Sequence, residues 1–251
     1  MSRAPHTRAF TLIELLVVVA IIAMLTGMLM PTLNQARKLT QAAVCKSSLR
    51  SLGLATQLYA QEEESYPPAW VIGSPDSIAW CGAYYKEGGL ACMDVSRGPL
   101  WRYLGDKKML DCPSFSTRSV KYVGSGQVSG YGINCQYVAG DPDVDTDDGA
   151  CGMTSYARPA RLDQIRRPTE TILFADAART KNAVLNEEIY VYPLYKHGSS
   201  KTNYATFHFR HDALAGAGYC DGHANSVGPH QLDPVGTGAC GWMANEVMDR
   251  N

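Results

Sequence analysis

The side chains best suited to metal binding or proton transfer lie near the end of the chain: His208, His211, Asp212, Asp221 and His223. Imidazole and carboxylate groups suit zinc or manganese and also acid–base catalysis. However, His208 and His211 lack the spacing of a zinc-protease helix, and no glutamate lies between them. We therefore favour a structural role, in which Asp221-Gly222 forms a tight β-hairpin turn and His211 bonds to it or to a backbone carbonyl. Metal binding and catalysis are the alternatives, and no enzymatic activity is predicted.

A second group of carboxylates lies in the stretch "GDPDVDTDDGACG", residues 140–152, and comprises Asp141, Asp143, Asp145, Asp147 and Asp148. Carboxylates this close repel one another unless water or a hard cation screens them, and calcium prefers such oxygen ligands. The spacing departs from the EF-hand loop, because Gly149 is seventh when Asp143 is counted first and Thr154 occupies the closing position. Calcium binding at this stretch is therefore weighed against a solvated acidic loop.

The eight cysteines form no C-x-x-C pair, which argues against a zinc ribbon or a thioredoxin-type redox site. If the protein is exported, disulfides are the better interpretation. Their connectivity stays open, and proximity along the chain is the only basis for pairing Cys135 with Cys151 and Cys220 with Cys240.

Composition limits the class of protein. The chain has 251 residues, 45% hydrophobic and 19% charged, as expected of a folded domain with an appendage. Its net charge is −1 and its basic residues form no run, so nucleic acid is not an expected partner.

The N-terminal segment is predicted to anchor the chain in a membrane. The apolar run Phe10 to Met30 would rise about 31 Å as a helix, close to the thickness of the hydrocarbon core. Residues 1–9 contain basic residues and no acid, which favours a cytoplasmic N-terminus and an extracytoplasmic remainder. No small-residue cleavage site follows Met30, so the segment is expected to be retained.

A second, amphipathic helical segment is predicted for residues 31–61. Its apolar side chains recur three or four positions apart, at Ala42, Cys45, Leu49, Leu52, Ala55 or Thr56, and Tyr59. The charged and proline-containing stretch "EEESYPP", residues 62–68, would end it. The apolar side of this segment needs a folded head to cover it.

The head, residues 62–251, is predicted to hold a small antiparallel sheet packed on the helix, which makes the fold class α+β. Four segments rich in β-branched and aromatic residues are predicted strands: 171–177, 187–195, 204–209 and 217–227. The stretch from Tyr66 to Arg167 is expected to be mostly loop, with a helical turn within residues 98–106.

Glu14 stands out, because an ionised side chain at membrane depth costs on the order of 2.5 to 3.5 kcal/mol. It could extend to the lipid headgroups, or it could meet a positive partner. A basic leader, Ala9, then Phe-Thr-Leu-Ile-Glu at 10–14, an apolar run and Pro31 together resemble the type IV prepilin family, which includes the pseudopilins of type II secretion systems.

This resemblance implies a set of partners and site residues. Prepilin peptidase would cut between Ala9 and Phe10 and methylate the new amine, although the family commonly has glycine where this chain has Ala9. Glu14 would pair with the N-terminal amine of a neighbouring subunit, and Pro31 would match the proline of the family's curved helix or else end the anchor. The implied fold is type IV pilin-like. The implied partners are other pilin or pseudopilin subunits and the membrane assembly platform.

A second resemblance concerns the head. His211, followed after nine residues by Asp221 and Gly222, is similar to the H-x9-D-G signature of a large group of pilin-like proteins. Because major pseudopilins bind calcium in their heads, the first resemblance also favours calcium at the acidic stretch. Two functions follow as hypotheses: a structural subunit of a pilus or pseudopilus, moving from the inner membrane into a fibre, or an envelope-anchored binding or metal-dependent domain that never polymerises.

Overall fold

The computed structural model describes residues 10–71, 76–87, 90–115, 120–121, 129–135, 137–140, 159–181, 184–191, 205–232 and 240–242. The chain divides into two compact units, residues 1–40 and residues 41–251. The boundary falls inside the long N-terminal helix, so the part of that helix from Gln41 onward belongs to the same unit as the sheets.

Helix α1 covers Leu12–Glu63 and begins and ends within two residues of the predicted limits. It continues through Pro31, so this proline does not end the helix. Just past its end, Glu64 adopts a φ of 58°, the left-handed conformation that commonly closes helices. Pro67 and Pro68 follow and disfavour further helix.

The part of α1 in the first unit is exposed throughout, and its stretch from Leu12 to Met30 is mostly apolar. Every residue from Phe10 to Thr40 is exposed, and the large apolar side chains there include Phe10, 71% exposed. By length and composition this helix could cross a membrane.

The part of α1 in the second unit buries one face. Its buried residues are Cys45, Ser48, Leu49, Leu52, Gly53, Ala55, Thr56 and Ala60. This confirms the predicted apolar stripe at most of its positions, while Ala42 is half-buried and Tyr59 is more exposed than its neighbours on that face. Ser48 and Gly53 were not predicted, because neither is apolar enough to register in a hydrophobic pattern.

A five-stranded sheet lies at the centre of the second unit. Its strands are β6 (Tyr131–Asn134), β7 (Ile172–Asp176), β10 (Tyr190–Val191), β12 (Ala215–Tyr219) and β13 (Ala224–Val227). They lie in the order β10-β6-β7-β12-β13, and all pairings are antiparallel except that of β10 with β6. Every residue of the central strand β7 is buried. The strands predicted at 171–177 and 217–227 are thus confirmed, the latter as a hairpin.

The second unit also contains two three-stranded sheets and several short helices. Their strands are β5 (Val120–Lys121), β8 (Arg179–Lys181), β9 (Val184–Asn186), β11 (Phe207–His208), β14 (Gln231–Leu232) and β15 (Cys240–Trp242). One sheet has the order β11-β15-β14, and the other has the order β5-β9-β8. Helix α2 covers Trp101–Leu104, and 3-10 turns cover Val95–Arg97, Lys107–Leu110 and Leu162–Gln164.

The expectation of mostly loop between Tyr66 and Arg167 was wrong for its first third, and strands β5 and β6 also lie farther along this stretch. This region contains an antiparallel sheet in chain order, with β1 (Trp70–Val71), β2 (Ser77–Ala79), β3 (Gly82–Glu87) and β4 (Leu90–Asp94). The strands are short and lack β-branched runs, so propensity did not reveal them. One signal was present, because Gly88-Gly89 separates two paired strands whose register closes at Glu87 and Leu90.

Helix α1 packs closely on β12 because that strand is made of small residues, Ala-Gly-Ala-Gly-Tyr. A Cβ on Gly216 would lie 2.8 Å from Leu49 Cδ1, and one on Gly218 would lie 3.3 Å from the carbonyl oxygen of Leu49. In the same core cluster, Trp80 and Phe174 pack with ring centroids 5.0 Å apart. A long helix followed by antiparallel sheets is the α+β, pilin-like fold that the sequence predicted.

Candidate functional site

In the first unit, the predicted assembly residue Glu14 lies in the first turn of α1. Its Oε2 accepts hydrogen bonds from the backbone N–H and the hydroxyl of Thr11, each at 2.8 Å. In return, the Glu14 N–H donates to Thr11 Oγ1 at 3.3 Å. This reciprocal pair is a capping box, which satisfies backbone donors at the start of a helix.

The capping role of Glu14 was missed from the sequence, although its signal was visible. Thr11 followed three residues later by Glu14, just before an apolar run, is the sequence pattern of a capping box. Within the single chain, therefore, the carboxylate already has partners. A positively charged group from another subunit would have to compete with Thr11 or share the carboxylate with it.

In the second unit, His211 lies in a tight turn that leads into β12. His211 and Leu214 exchange backbone hydrogen bonds of 2.9 and 3.1 Å. The two residues between them, Asp212 and Ala213, have φ values of 56° and 60°. A two-residue loop with both φ values positive is a hairpin turn of type I′. The turn places the imidazole of His211 beside Cys112, which in turn contacts Cys45 of α1.

The imidazole of His211 contacts a buried carboxylate, whereas its predicted partner was the hairpin turn or a backbone carbonyl. Its Nε2 lies 3.3 Å from Asp176 Oδ2 on β7 and 3.6 Å from Cys112 Sγ. Asp176 is fully buried; its Oδ2 also accepts a 2.6 Å hydrogen bond from the Gly216 N–H. The histidine of the signature is therefore linked to the central strand through a residue outside the motif.

Arg210 completes this buried polar cluster. Its Nε lies 3.8 Å from Asp176 Oδ1, and its Nη2 donates to the carbonyl of Ala177 at 2.7 Å. The guanidinium carbon lies 4.1 Å from the ring centroid of Phe115, a cation–π contact. A buried carboxylate is costly without cationic partners, and Asp176 has both Arg210 and His211 within reach.

The cluster shifts the pKa values of its two histidines in opposite directions. Burial lowers the pKa of His211, but hydrogen bonds with Asp176 and with Cys112 outweigh burial and raise it to about 9. For His208, burial together with the charge of Arg210 lowers the pKa to about 3. At neutral pH, His211 is therefore protonated and paired, whereas His208 is neutral.

The Asp221-Gly222 pair forms the turn between β12 and β13, as predicted. Gly222 has a φ of 91°, a conformation that side chains disfavour. The turn lies against helix α1, because a Cβ on Gly53 would come within 3.2 Å of Gly222 Cα. Gln57 Nε2 donates to the carbonyl of Cys220 at 3.2 Å. The two ends of the H-x9-D-G segment thus reach the helix side of the sheet at separate points.

The structure does not collect the five candidate metal ligands into one site. Asp221 and His223 pair with each other at the exposed β12–β13 turn, Oδ1 to Nδ1 at 2.6 Å. His211 lies at the other end of β12, and Asp212 is exposed. Among the described residues, the ligand atoms within 4.8 Å of one another belong to Cys45, Cys112 and His211. Two of these were not metal candidates from sequence.

The predicted disulfide between Cys220 and Cys240 is wrong. Cys220 is hydrogen-bonded to Tyr66 beside the β12–β13 turn. Cys240 Sγ instead contacts the carbonyl of Ala178 at 3.6 Å. The two cysteines lie in different clusters of the core. The other predicted pairing involves Cys151, which lies outside the described residues, as do Asp141, Asp143, Asp145, Asp147 and Asp148; calcium binding there stays a prediction.

The long helix with one acid in an apolar run, followed by antiparallel sheets, gives an α+β, pilin-like fold. Comparison with protein families adds one match: residues 5–30 match the prokaryotic N-terminal methylation motif. The match supports a type IV pilin-like protein and implies prepilin peptidase and pilin-type subunits as partners. No curated protein and no solved structure matches the chain. The head signature has no counterpart among these matches.

Proposed function

We propose that the chain is a structural, non-enzymatic subunit that prepilin peptidase cuts between Ala9 and Phe10 and that then assembles into a type IV pilus or a type II secretion pseudopilus. The observation that carries the proposal is the methylation motif at residues 5–30, because its part from Leu12 to Met30 lies on helix α1 and every residue of that part is exposed. Such a helix needs lipid before assembly and neighbouring helices after it.

The proposed location follows from the same segment. The basic residues ahead of Phe10 favour a cytoplasmic N-terminus in the inner membrane, with the head outside the cytoplasm. The motif together with the apolar helix is consistent with an inner-membrane anchor. After cleavage, the new amine would be that of Phe10, four residues before Glu14 in the chain. In a stacked bundle of helices, the amine of one copy would lie close to the Glu14 carboxylate of the next copy.

The mature N-terminus tests this proposal. The full-length protein is recovered from membranes of cells with and without the peptidase, and its intact mass and N-terminal sequence are measured. We expect a chain that begins with methylated Phe10 only where the peptidase is present. A chain that still begins at Met1 in peptidase-positive cells would contradict the proposal.

A pair of matched variants tests the cleavage position. Ala9→Gly replaces the residue before the proposed cut by the one common in the family, so processing should become faster in a pulse-chase measurement. Ala4→Gly makes the same change within the leader and should leave the rate unchanged. Equal processing rates for the two variants would show that the peptidase does not recognise the residue at position 9.

One observation favours the second candidate function, an anchored domain that does not polymerise. The Glu14 carboxylate is bonded to Thr11 of its own chain, so its presence in the apolar run has an explanation that needs no second subunit. The variants of Thr11 and Glu14 described in the Discussion separate the two functions.

A further inference from the structure

We infer that Cys45 and Cys112 form a disulfide that ties helix α1 to the segment after the Lys107–Leu110 turn. The two Sγ atoms lie 2.6 Å apart. Non-bonded heavy atoms reach their energy minimum at about 3.5 to 4.0 Å, so two separate thiols do not fit at this distance. Both side chains are buried, with 0% and 2% of their surfaces exposed, which protects the bond from reductants.

The backbone around both cysteines is held in place by contacts that do not involve sulfur. Gln41 lies one helical turn before Cys45, on the same side of α1. Its Nε2 donates to the carbonyl of Pro113 at 3.3 Å, and Ser114 Oγ donates to its Oε1 at 3.5 Å. The residues that follow Cys112 are therefore fixed along the helix independently of the thiols.

Gly130 brings Cys112 to the same place from the other side. A Cβ at Gly130 would lie 2.8 Å from Cys112 Cβ and 3.0 Å from its backbone nitrogen, so only glycine permits this approach. The Gly130 N–H also donates to the carbonyl of Leu110 at 2.8 Å. Two independent sets of contacts thus converge on one position for Cys112, facing Cys45.

The competing occupant of this position is a metal ion held by Cys45, Cys112 and His211. Two thiolates bound to tetrahedral zinc at about 2.3 Å each stand about 3.8 Å apart, well beyond the observed separation. His211 Nε2, the atom that would bind the ion, is already paired with Asp176. The geometry therefore favours the covalent bond, and a bound metal becomes an outcome of the test.

Formation of the bond needs an oxidant, because two thiols lose two protons and two electrons. The oxidant is a protein disulfide of an envelope thiol oxidoreductase. A thiolate of this chain attacks it, releases one of its sulfurs as a thiol and forms a mixed disulfide. The second cysteine attacks that bond and releases the other sulfur as a thiol. Since both cysteines are buried once folded, oxidation precedes packing of the helix. The inference rests on the proposed extracytoplasmic location of the head, where disulfides persist.

Peptide mapping of the full-length protein tests the inference directly. The membranes are dissolved in a denaturant that contains a maleimide, which blocks free thiols. The protein is then digested with trypsin in the absence of reductant. Cys45 is released in residues 39–46 and Cys112 in residues 109–118, and each peptide contains a single cysteine. We expect the two peptides to be recovered as one linked species that separates on reduction. The link should also survive reductant applied before denaturation.

Variants and a metal assay complete the design. Cys112→Ser should abolish the linked species and leave Cys45 as a free thiol, whereas the matched control Cys81→Ser, at another buried cysteine, should leave the link intact. Maleimide-labelled Cys45 and Cys112 in the wild-type protein would overturn the inference. Release of one equivalent of zinc per protein chain on addition of a thiol reagent would also overturn the inference. In parallel, protease is added to spheroplasts to measure whether the head lies outside the cytoplasm. Free thiols in a head that the protease reaches would overturn the disulfide alone. Free thiols in a head that the protease does not reach would overturn the proposed location as well.

Discussion

Gly53 on the helix lies against Gly222 in the β12–β13 turn, so closely that a Cβ on Gly53 would come within 3.2 Å of Gly222 Cα. Each glycine removes the side chain that would separate helix from turn. The last residue of the H-x9-D-G segment, Gly222, is glycine for two reasons. It lies in close contact with the helix, and its φ of 91° disfavours any side chain. In this packing, the motif holds the β12–β13 turn against α1.

Replacing Gly53 by valine should destabilise the head by about 1 to 3 kcal/mol, because backbone atoms that cannot move aside occupy the space. The matched control is Ala43→Val, at an exposed position of the same helix, which should cost only the small difference in helix propensity. Thermal unfolding of the full chain in detergent, followed by circular dichroism, measures both. Equal midpoints for the two variants would contradict close packing at Gly53.

Gly222→Ala separates backbone conformation from helix contact. A positive φ costs a non-glycine residue about 1 to 2 kcal/mol, and the new Cβ would lie 3.2 Å from Gln57 Nε2. Gly105→Ala is the control, because Gly105 has a φ of 67° and a Cβ added there would meet no atom within 4 Å. We expect Gly222→Ala to lower the unfolding midpoint further than Gly105→Ala does. The reverse order would show that the turn does not press on the helix.

Variants of Thr11 and Glu14 distinguish capping from assembly. Glu14→Gln keeps a side chain that suits a capping box but removes its charge, whereas Thr11→Ala removes the cap and keeps the carboxylate. If Glu14 pairs with the amine of a neighbouring subunit, Glu14→Gln should abolish fibres while Thr11→Ala retains them. Sheared-fibre preparations measure assembly, and membrane fractionation checks insertion. Fibre loss with Thr11→Ala but not with Glu14→Gln would assign Glu14 to capping alone.

The two buried histidines predict a stability maximum near pH 6.5. Burial lowers the pKa of His211, but its bonds to Asp176 and Cys112 raise it to about 9, so its contribution is complete below its unfolded value of about 6.5 and is lost as the pH rises through 9. The pKa of His208 is lowered to about 3 by burial, so its contribution is lost as the pH falls below about 6.5.

Unfolding midpoints measured from pH 4 to pH 10 check this profile. His211→Gln should flatten the alkaline side, while His230→Gln, at an exposed position, should leave the profile unchanged. The groups facing His211 are Asp176 and Cys112, with Arg210 and His208 close by. An alkaline loss that persists in His211→Gln would assign it to another group.

Several features could be predicted because they depend on neighbours along the chain. The apolar run, the stripe from Cys45 to Thr56 and the hairpin turn at Asp221-Gly222 are all patterns within a few residues, and so is the capping pattern that was overlooked at Thr11 and Glu14. The strand at 171–177 was also predictable, since all its residues are buried and most of them are therefore apolar. The sheet from Trp70 to Asp94 was not, because two- to six-residue strands gain their stability from pairing rather than from composition.

What the sequence by itself determined is the long apolar helix near the N-terminus: a helix apolar on all sides, with one acid near its start, has few environments in which it is stable. What only the tertiary structure decided is the partner of His211. Cys45, Cys112, Asp176 and His211 come from a helix, a loop, a central strand and a turn, up to 166 positions apart. No local pattern couples such residues, because their proximity results from the burial of the whole sheet against the helix, which is a property of the complete fold.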